Sequence, residues 1–411
     1  LLSGAFSADA ADPLVATEWW RQDIHVDGLT PPPPGVPITL VDSGVAFNHP
    51  EFAGRPNLIA LNNQEPAPLG GVHGTATASV AGAPVNGVGL VGIYPTAVLR
   101  SYDASLGDGT RLPSSDIAAG IVAAAQAGRS VINLSLGSSE RDPAIEAAIA
   151  LAVRSGNLVV ASSGNSGDEG NWLSYPGASA HVFTVAATDQ SDAVASFSTE
   201  SSWVDIAAPG VDIPVASALD NGYQPESGTS FSAPMVAGAA AWLWTVRPDL
   251  DASQVAEILK ESARDVGAPG FDQATGYGIL DMTAALATPT PARDLVEPND
   301  SVSEATIIST SRRPSATVHG RVATFEDERD VLKVWLPKGK RLTVQTPSTA
   351  VAVALYRDSL AASHRLAGAT RAHGTTSLSF SNRGAGRNAF LVVTPASHVR
   401  DTAYSVAITA R

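Results

Sequence analysis

The sequence predicts an α/β domain with a mostly parallel sheet, followed by a small all-β sandwich. Three observations predict this. Short, wholly apolar runs alternate with helix-like stretches over the first two thirds of the chain, the pattern of buried parallel strands joined by helices. From residue 294 onward the runs become short and alternating, with Gly, Pro, Asn and Ser between them. Between the two lies Ala287-Thr288-Pro289-Thr290-Pro291, a linker by composition.

In chain order, the Pro-rich lead-in Thr30–Gly35 is extended. The buried strands are Pro37–Val41, Ala97–Ser101, Val131–Leu134, Leu158–Ala161 and Val182–Ala186. A helix over Ser115–Ala127 opens on Ser/Asp and stops at Gly128. A second, Pro143–Val153, has Asp142 as its N-cap and Pro at its first position. The apolar run from Phe231 to Val246 is a buried helix, too short and too interrupted by Pro234 and Gly238 to span a membrane. An amphipathic helix over Asp251–Glu261 follows, and the domain closes near Leu286. The sandwich strands are Ala316–Val322, Val331–Leu336, Arg341–Gln345, Val351–Tyr356, Thr376–Phe380, Phe390–Val393 and Tyr404–Ile408, with Trp335 read as core. The domain reading is 1–14 as a leader or pro-segment remnant, 15–286, a linker over 287–293, and 294–411.

Composition narrows the function classes. The 411 residues contain no Cys, which excludes disulfides and thiolate metal sites. Residues 1–293 carry 11 Lys/Arg against 30 Asp/Glu, whereas residues 294–411 carry 15 against 10. The acidic first part is a poor partner for nucleic acid, and the change of sign supports a domain boundary.

The chemistry-bearing residues stand at element ends. Asp42 closes the first strand in Asp42-Ser43-Gly44, and His73 opens His73-Gly74-Thr75 ahead of a helical stretch. Asn165 follows a buried strand in Ser162-Ser163-Gly164-Asn165, and Ser230 opens the apolar helix in Gly228-Thr229-Ser230-Phe231-Ser232-Ala233-Pro234. A serine hydroxyl needs an adjacent base, imidazole titrates in the right range, and a carboxylate fixes its tautomer. An amide side chain and a helix N-terminus can meet a developing oxyanion. Singly each motif also reads as a turn residue or a helix cap.

Together, in this order, they resemble the subtilisin-like serine proteases over roughly residues 15–286. The resemblance implies a three-layer α/β fold and a serine endopeptidase. Ser230 is then the nucleophile and His73 the base. Asp42 orients His73, and Asn165 joins the Ser230 backbone N–H in the oxyanion hole. It also implies peptide-binding edges at Ser135-Leu136-Gly137 and at Gly107–Arg111, with Gly109 and Arg111 on the second. The first pocket would be walled by Ser135–Gly137, Ala161, Ser163, Gly164 and Ser174, with Thr229 beside the nucleophile. No charge falls in those walls, so a broad, apolar-leaning preference before the cut is expected. Ala76 replaces the family's usual second histidine and Ser232 its usual alanine, neither of them a triad position.

The loop after the His73 helix resembles a family calcium site. Glu51, Asn86 and the carbonyls of Pro84, Val88 and Leu90 would form an oxygen cage. Glu stands there for the usual Asp, and no N-terminal ligand is matched. Catalysis itself needs no cofactor. In the C-terminal stretch, Glu297-Pro298-Asn299-Asp300-Ser301 and Asp330–Gly339 resemble the bacterial pre-peptidase C-terminal domain, an accessory sandwich of secreted peptidases. The expected protein is a secreted monomer without transmembrane segment or nucleic-acid partner, acting on polypeptides and folding with its own pro-segment. An α/β-hydrolase esterase is excluded, because Gly228-Thr229-Ser230-Phe231-Ser232 lacks the second glycine of Gly-x-Ser-x-Gly. Two readings remain open: a transacylase or peptide ligase using the same triad, and a non-catalytic binding protein of this fold.

Overall fold

The computed structural model describes residues 12–62, 72–105, 111–295, 297–308, 315–325, 327–397 and 399–411. The chain forms two compact units, one ending at Thr290 and one beginning at Pro291.

The first unit is built on a seven-stranded parallel sheet. Its strands are β1 (Ile38–Asp42), β2 (Leu58–Ala60), β3 (Leu99–Asp103), β4 (Val131–Leu134), β5 (Leu158–Ser162), β6 (Val182–Thr188) and β7 (Ile206–Pro209). Their spatial order is β2-β3-β1-β4-β5-β6-β7. A β8–β9 hairpin (Ile213–Ser217, Gly222–Glu226) follows. The helices are α1 (Trp20–Asp23), α2 (Val72–Gly82), α3 (Ser114–Gln126), α4 (Pro143–Arg154), α5 (Thr229–Val246), α6 (Ala252–Ser262) and α7 (Met282–Ala287).

The continuous apolar strand runs are explained by burial on both faces. Ile38, Leu40, Val131 and Val160 join one core with α2 and α5. Val41, Ile132, Leu134, Val159 and Ala161 join a second core with α3 and α4. Successive side chains point to opposite faces, so each central strand feeds both cores and the unit is three layers deep. Helix α5 is apolar on nearly every side because it is buried on nearly every side. Among the described residues no helix is long and apolar enough to cross a membrane.

Local signals fix the helix ends. Asp142 caps α4 by accepting from the Ala144 and Ile145 amides at 2.8 and 3.3 Å. Asp251 and Gln254 form a reciprocal capping box on α6. Each such cap is worth about 1 kcal/mol. The strand expected over Ala97–Ser101 is shifted to Leu99–Asp103, because β3 pairs with β1 up to Asp42 and Asp103. Strands β2, β7, β8 and β9 were not expected; β2 is half-exposed at the sheet edge, so no apolar run announces it.

The second unit holds two five-stranded sheets. One has the order β10 (Thr306–Ile308), β12 (Asp330–Leu336), β18 (Arg387–Pro395), β14 (Val351–Tyr356), β15 (Arg365–Gly368). The other has β11 (Ser315–Ala323), β19 (Asp401–Ala410), β13 (Arg341–Thr346), β17 (Thr375–Ser381), β16 (Thr370–Ala372). All pairings are antiparallel except β10 with β12. Leu332, Val334, Leu342, Val344, Val406 and Ile408 line the shared core. Trp335, read from sequence as core, is instead 38% exposed. Its β12 neighbours Val334 and Leu336 face the core, so alternation turns it outward.

Candidate active site

The strand order reverses around β1, which lies between β3 and β4. In such sheets the crevice beyond the strand C-termini at that point is the usual ligand site. Asp42 ends β1 there and is 1% exposed. Its Oδ1 accepts from the Ser43 amide at 2.7 Å, and its Oδ2 accepts from Thr77 Oγ1 at 3.3 Å. The carboxylate is thereby held through both of its oxygens.

His73 lies on the first turn of α2, and its Nδ1 is 2.8 Å from Asp42 Oδ1 and 3.0 Å from Oδ2. Gly74 is required by close approach: a Cβ there would strike the carbonyl oxygen of Gly44. Burial pulls the His73 pKa down, but the Asp42 carboxylate, its hydrogen bond and Glu226 outweigh this, and the net shift is upward. On its other side the His73 ring is 6.1 Å, centroid to centroid, from that of Phe231.

Ser230 is in the first turn of α5, half-buried. Its carbonyl accepts from Ser135 Oγ at 2.8 Å, and that hydroxyl accepts from Asn133 Nδ2 at 2.9 Å. Asn165 follows β5, and its Oδ1 accepts from the Thr229 amide at 3.0 Å and the Thr229 hydroxyl at 2.8 Å. With its oxygen so engaged, the Asn165 Nδ2 is the remaining donor of the side chain. Ser232 is buried and donates to the carbonyls of Ala208 and Pro209 at 2.9 and 3.1 Å, so the extra hydroxyl is satisfied.

The residues expected along a bound peptide are partly gathered. Asp42, His73, Leu112, Ser135, Leu136, Gly137 and Tyr175 line one cleft of about 590 Å³. Ser138 and Tyr175 exchange backbone hydrogen bonds of 2.9 and 2.7 Å, which joins the 135–138 segment to the segment carrying Ser174. A Cβ on Gly137 would collide with Ser174 Oγ, and one on Gly164 would come within 2.6 Å of Ser174 Cβ. Gly164 also has φ +105°, a conformation suited to glycine. Ser174 therefore stands between the two glycines. Ala161 and Ser163 are buried at the end of β5 and just beyond it. Arg111 is exposed ahead of α3. Gly109 lies outside the described residues.

Two geometric findings bear on the expected cation loop. Glu51 is fully buried, and its Oε2 accepts from the Leu90 amide at 3.1 Å. Asn86 donates through Nδ2 to the Glu51 carbonyl at 3.2 Å and accepts the Val88 amide at 2.8 Å. Asp12 also reaches this loop: its Oδ1 accepts from the amides of Asn86, Gly87 and Val88 at 3.1, 2.9 and 3.1 Å. Leu14 donates to the Gly89 carbonyl at 2.9 Å, so residues 12–14, assigned from sequence to a leader, are fastened to this loop. Asp12 Oδ2 and Glu51 Oε1 remain buried without a hydrogen-bond partner. Burial, opposed by the Leu90 amide and reinforced by Asp12, pushes Glu51 up to about 7. Orphaned oxygens on two buried carboxylates beside one loop fit a hard divalent cation.

Comparison with known proteins agrees with this geometry. The sequence profile of the subtilase family, Peptidase_S8, matches residues 34–278. The chain belongs to the subtilase family. This subtilase is 39% identical over 216 residues to the thermophilic serine proteinase of Bacillus sp. (strain AK1), a match covering 51% of this chain and 52% of that protein. It is 35% identical over 261 residues to Subtilisin BL of Lederbergia lenta, covering 64% and 93% of the two. Among solved structures it resembles the S41 psychrophilic protease (TM-score 0.55, 30% identity, 64% and 97% covered) and Sphericase (TM-score 0.54, 28% identity, 64% and 97% covered). The chain thus spans about half the length of the first relative and most of the others. It is a subtilisin-type serine endopeptidase by family, and members of this family need no cofactor for catalysis.

Proposed function

We propose that this subtilase is a secreted enzyme that hydrolyses extended or unfolded polypeptides through an acyl-enzyme on Ser230. One observation carries the reading. His73 hydrogen-bonds Asp42 through Nδ1, and its ring also packs beside Phe231, the residue after Ser230.

In this mechanism Ser230 Oγ attacks the scissile carbonyl while His73 Nε2 takes its proton. Asp42 accepts from Nδ1–H, holds the tautomer and stabilises the imidazolium. The tetrahedral oxyanion receives hydrogen bonds from Asn165 Nδ2 and from the Ser230 amide at the α5 N-terminus. His73 then protonates the leaving amine, and water returns by the same route to release the acid. A substrate strand would lie between Ser135-Leu136-Gly137 and the segment around Gly109 and Arg111, bound by main-chain hydrogen bonds. Ala161, Ser163, Gly164 and Thr229 would complete the walls. Ser174, placed between Gly137 and Gly164, makes the first pocket shallow and favours small or slim apolar residues before the cut.

A structural calcium ion would be held by Glu51, Asn86, Asp12 and the carbonyls of Pro84, Val88 and Leu90, stabilising the fold rather than the reaction. The protein is read as a monomer whose folding uses a pro-segment. The deciding experiment combines casein hydrolysis with a serine-directed phosphonylating reagent. Stoichiometric label on Ser230 alone with parallel loss of hydrolysis is expected. Hydrolysis that persists after full labelling overturns the assignment.

A further inference from the structure

We infer that Thr77 is a positioning residue of the triad, a second point from which α2 grips the Asp42 carboxylate. The inference rests on the reading of Asp42, His73 and Ser230 as the reacting set. Thr77 acts through Asp42 and touches no substrate.

The placement follows from the helix. Thr77 lies four residues after His73 in α2, so both side chains fall on one face, about one turn apart. That face meets the end of β1. His73 Nδ1 lies 2.8 Å from Asp42 Oδ1 and 3.0 Å from Oδ2, while Thr77 Oγ1 lies 3.3 Å from Oδ2. The Ser43 amide, at 2.7 Å, serves Oδ1 alone. Among the described residues, Oδ2 therefore has one donor besides the shared His73 N–H, the Thr77 hydroxyl.

The competing reading is an ordinary helical threonine. The hydroxyl also lies 3.1 Å from the Gly74 carbonyl, three residues back, a common partner for threonine in a helix. One proton cannot serve both acceptors fully. An ionised carboxylate is the stronger of the two. Solvent offers no alternative, because Thr77 is fully buried and Asp42 is 1% exposed. The surroundings of Asp42 also call for a donor. β1 and β3 pair in register with Asp103 opposite Asp42, and Asp103 is buried too. Burial pushes the Asp103 carboxyl up, the Ser105 hydrogen bonds oppose this, and the Asp42 charge adds to it. Beside a second buried acid, each donor aimed at Asp42 counts for more.

The consequence falls on His73. A hydroxyl bonded to Oδ2 draws on negative charge that would otherwise favour the imidazolium. Without it the ring faces a fuller charge, and the base becomes neutral only at higher pH. Glu226, at the end of β9, also favours the imidazolium and is untouched by the change. Thr77 thus works against the upward shift that Asp42 and Glu226 impose on the base.

The test uses the full chain and two variants. Thr77→Val keeps the shape and removes the donor, whereas Thr77→Ser keeps the donor. The acid limb of kcat/KM on a chromogenic peptide should move up by about half a pH unit in Thr77→Val and stay with the parent in Thr77→Ser. The His73 Nδ1 proton, followed by proton NMR over the same range, should show the same displacement. This second reading needs no turnover. A parent without peptidase activity would therefore sink the proposed reaction and leave the Thr77 test standing. Thr77→Ala repeats the measurement should the valine variant fail to fold. A purely structural threonine would lower the thermal midpoint and leave both titrations in place, which overturns the role. A displacement that Thr77→Ser shares overturns it equally.

Discussion

Asn165 Oδ1 accepts both the backbone amide and the hydroxyl of Thr229, the residue immediately before Ser230. This double contact links the end of β5 to the start of α5 and fixes which way the Asn165 amide points. The oxygen faces α5, which leaves Nδ2 as the remaining donor of this side chain.

Asn165→Ala should therefore lower kcat with little change in KM. For an oxyanion donor in subtilisin the loss is about 10²–10³-fold, and the same range is expected here. Thr229→Val keeps the amide contact and loses only the hydroxyl, so its effect should be much smaller. Steady-state kinetics on a chromogenic peptide checks both, and a KM-only effect in Asn165→Ala would remove the oxyanion role.

Ser230→Ala should reduce peptide hydrolysis by about 10⁶-fold, as in subtilisin, while leaving the fold intact. Because Ser135 Oγ bonds the Ser230 carbonyl and not its side chain, α5 keeps its anchor in this variant. Circular dichroism with an activity assay reads the two effects separately.

The pH profile should report Glu226. The net upward shift of His73 includes a contribution from the Glu226 charge. The base works only when neutral, so a raised pKa moves the acid limb to higher pH. Glu226→Gln removes a charge that favours the imidazolium, and the acid limb of kcat/KM should move to lower pH. An unmoved limb would place Glu226 outside the electrostatics of the site.

Pocket depth should follow Ser174. Replacing it with Gly clears the space between Gly137 and Gly164. The preference for aromatic over alanine residues before the cut should rise by about tenfold, within the range expected for one or two buried atoms. A peptide-library cleavage profile measures the ratio directly.

Chelation should lower the thermal midpoint of the first unit. An ion at a hundred times its Kd contributes about 2.7 kcal/mol, or about 5–10 °C in a domain of this size. Glu51→Gln should show the lower midpoint from the start and respond no further at that transition. A chelator-insensitive midpoint in the parent would exclude a cation in the Asp12–Glu51 loop.

Much of this was legible before any coordinates. Burial on both faces writes a strand such as β4 or β5 as an unbroken apolar run, and Asp142-Pro143 announces a helix start through local hydrogen bonding. Edge strand β2 and the β8–β9 hairpin left no such mark, because pairing rather than burial defines them. Trp335 was misread because composition says a tryptophan seeks the core, whereas its place in the β12 alternation decides which face it takes.

The sequence by itself determined the residue types, their order and the element ends on which Asp42, His73, Asn165 and Ser230 stand. These are local properties of turns, caps and apolar runs. Only the tertiary structure decided what meets across long separations: Asp12 against the 86–88 amides, Ser135 against the Ser230 carbonyl, Asp327 beside Asp294 and Glu297. Such contacts depend on how separate segments pack, and the pairing of two polar side chains leaves no periodic signal in either segment.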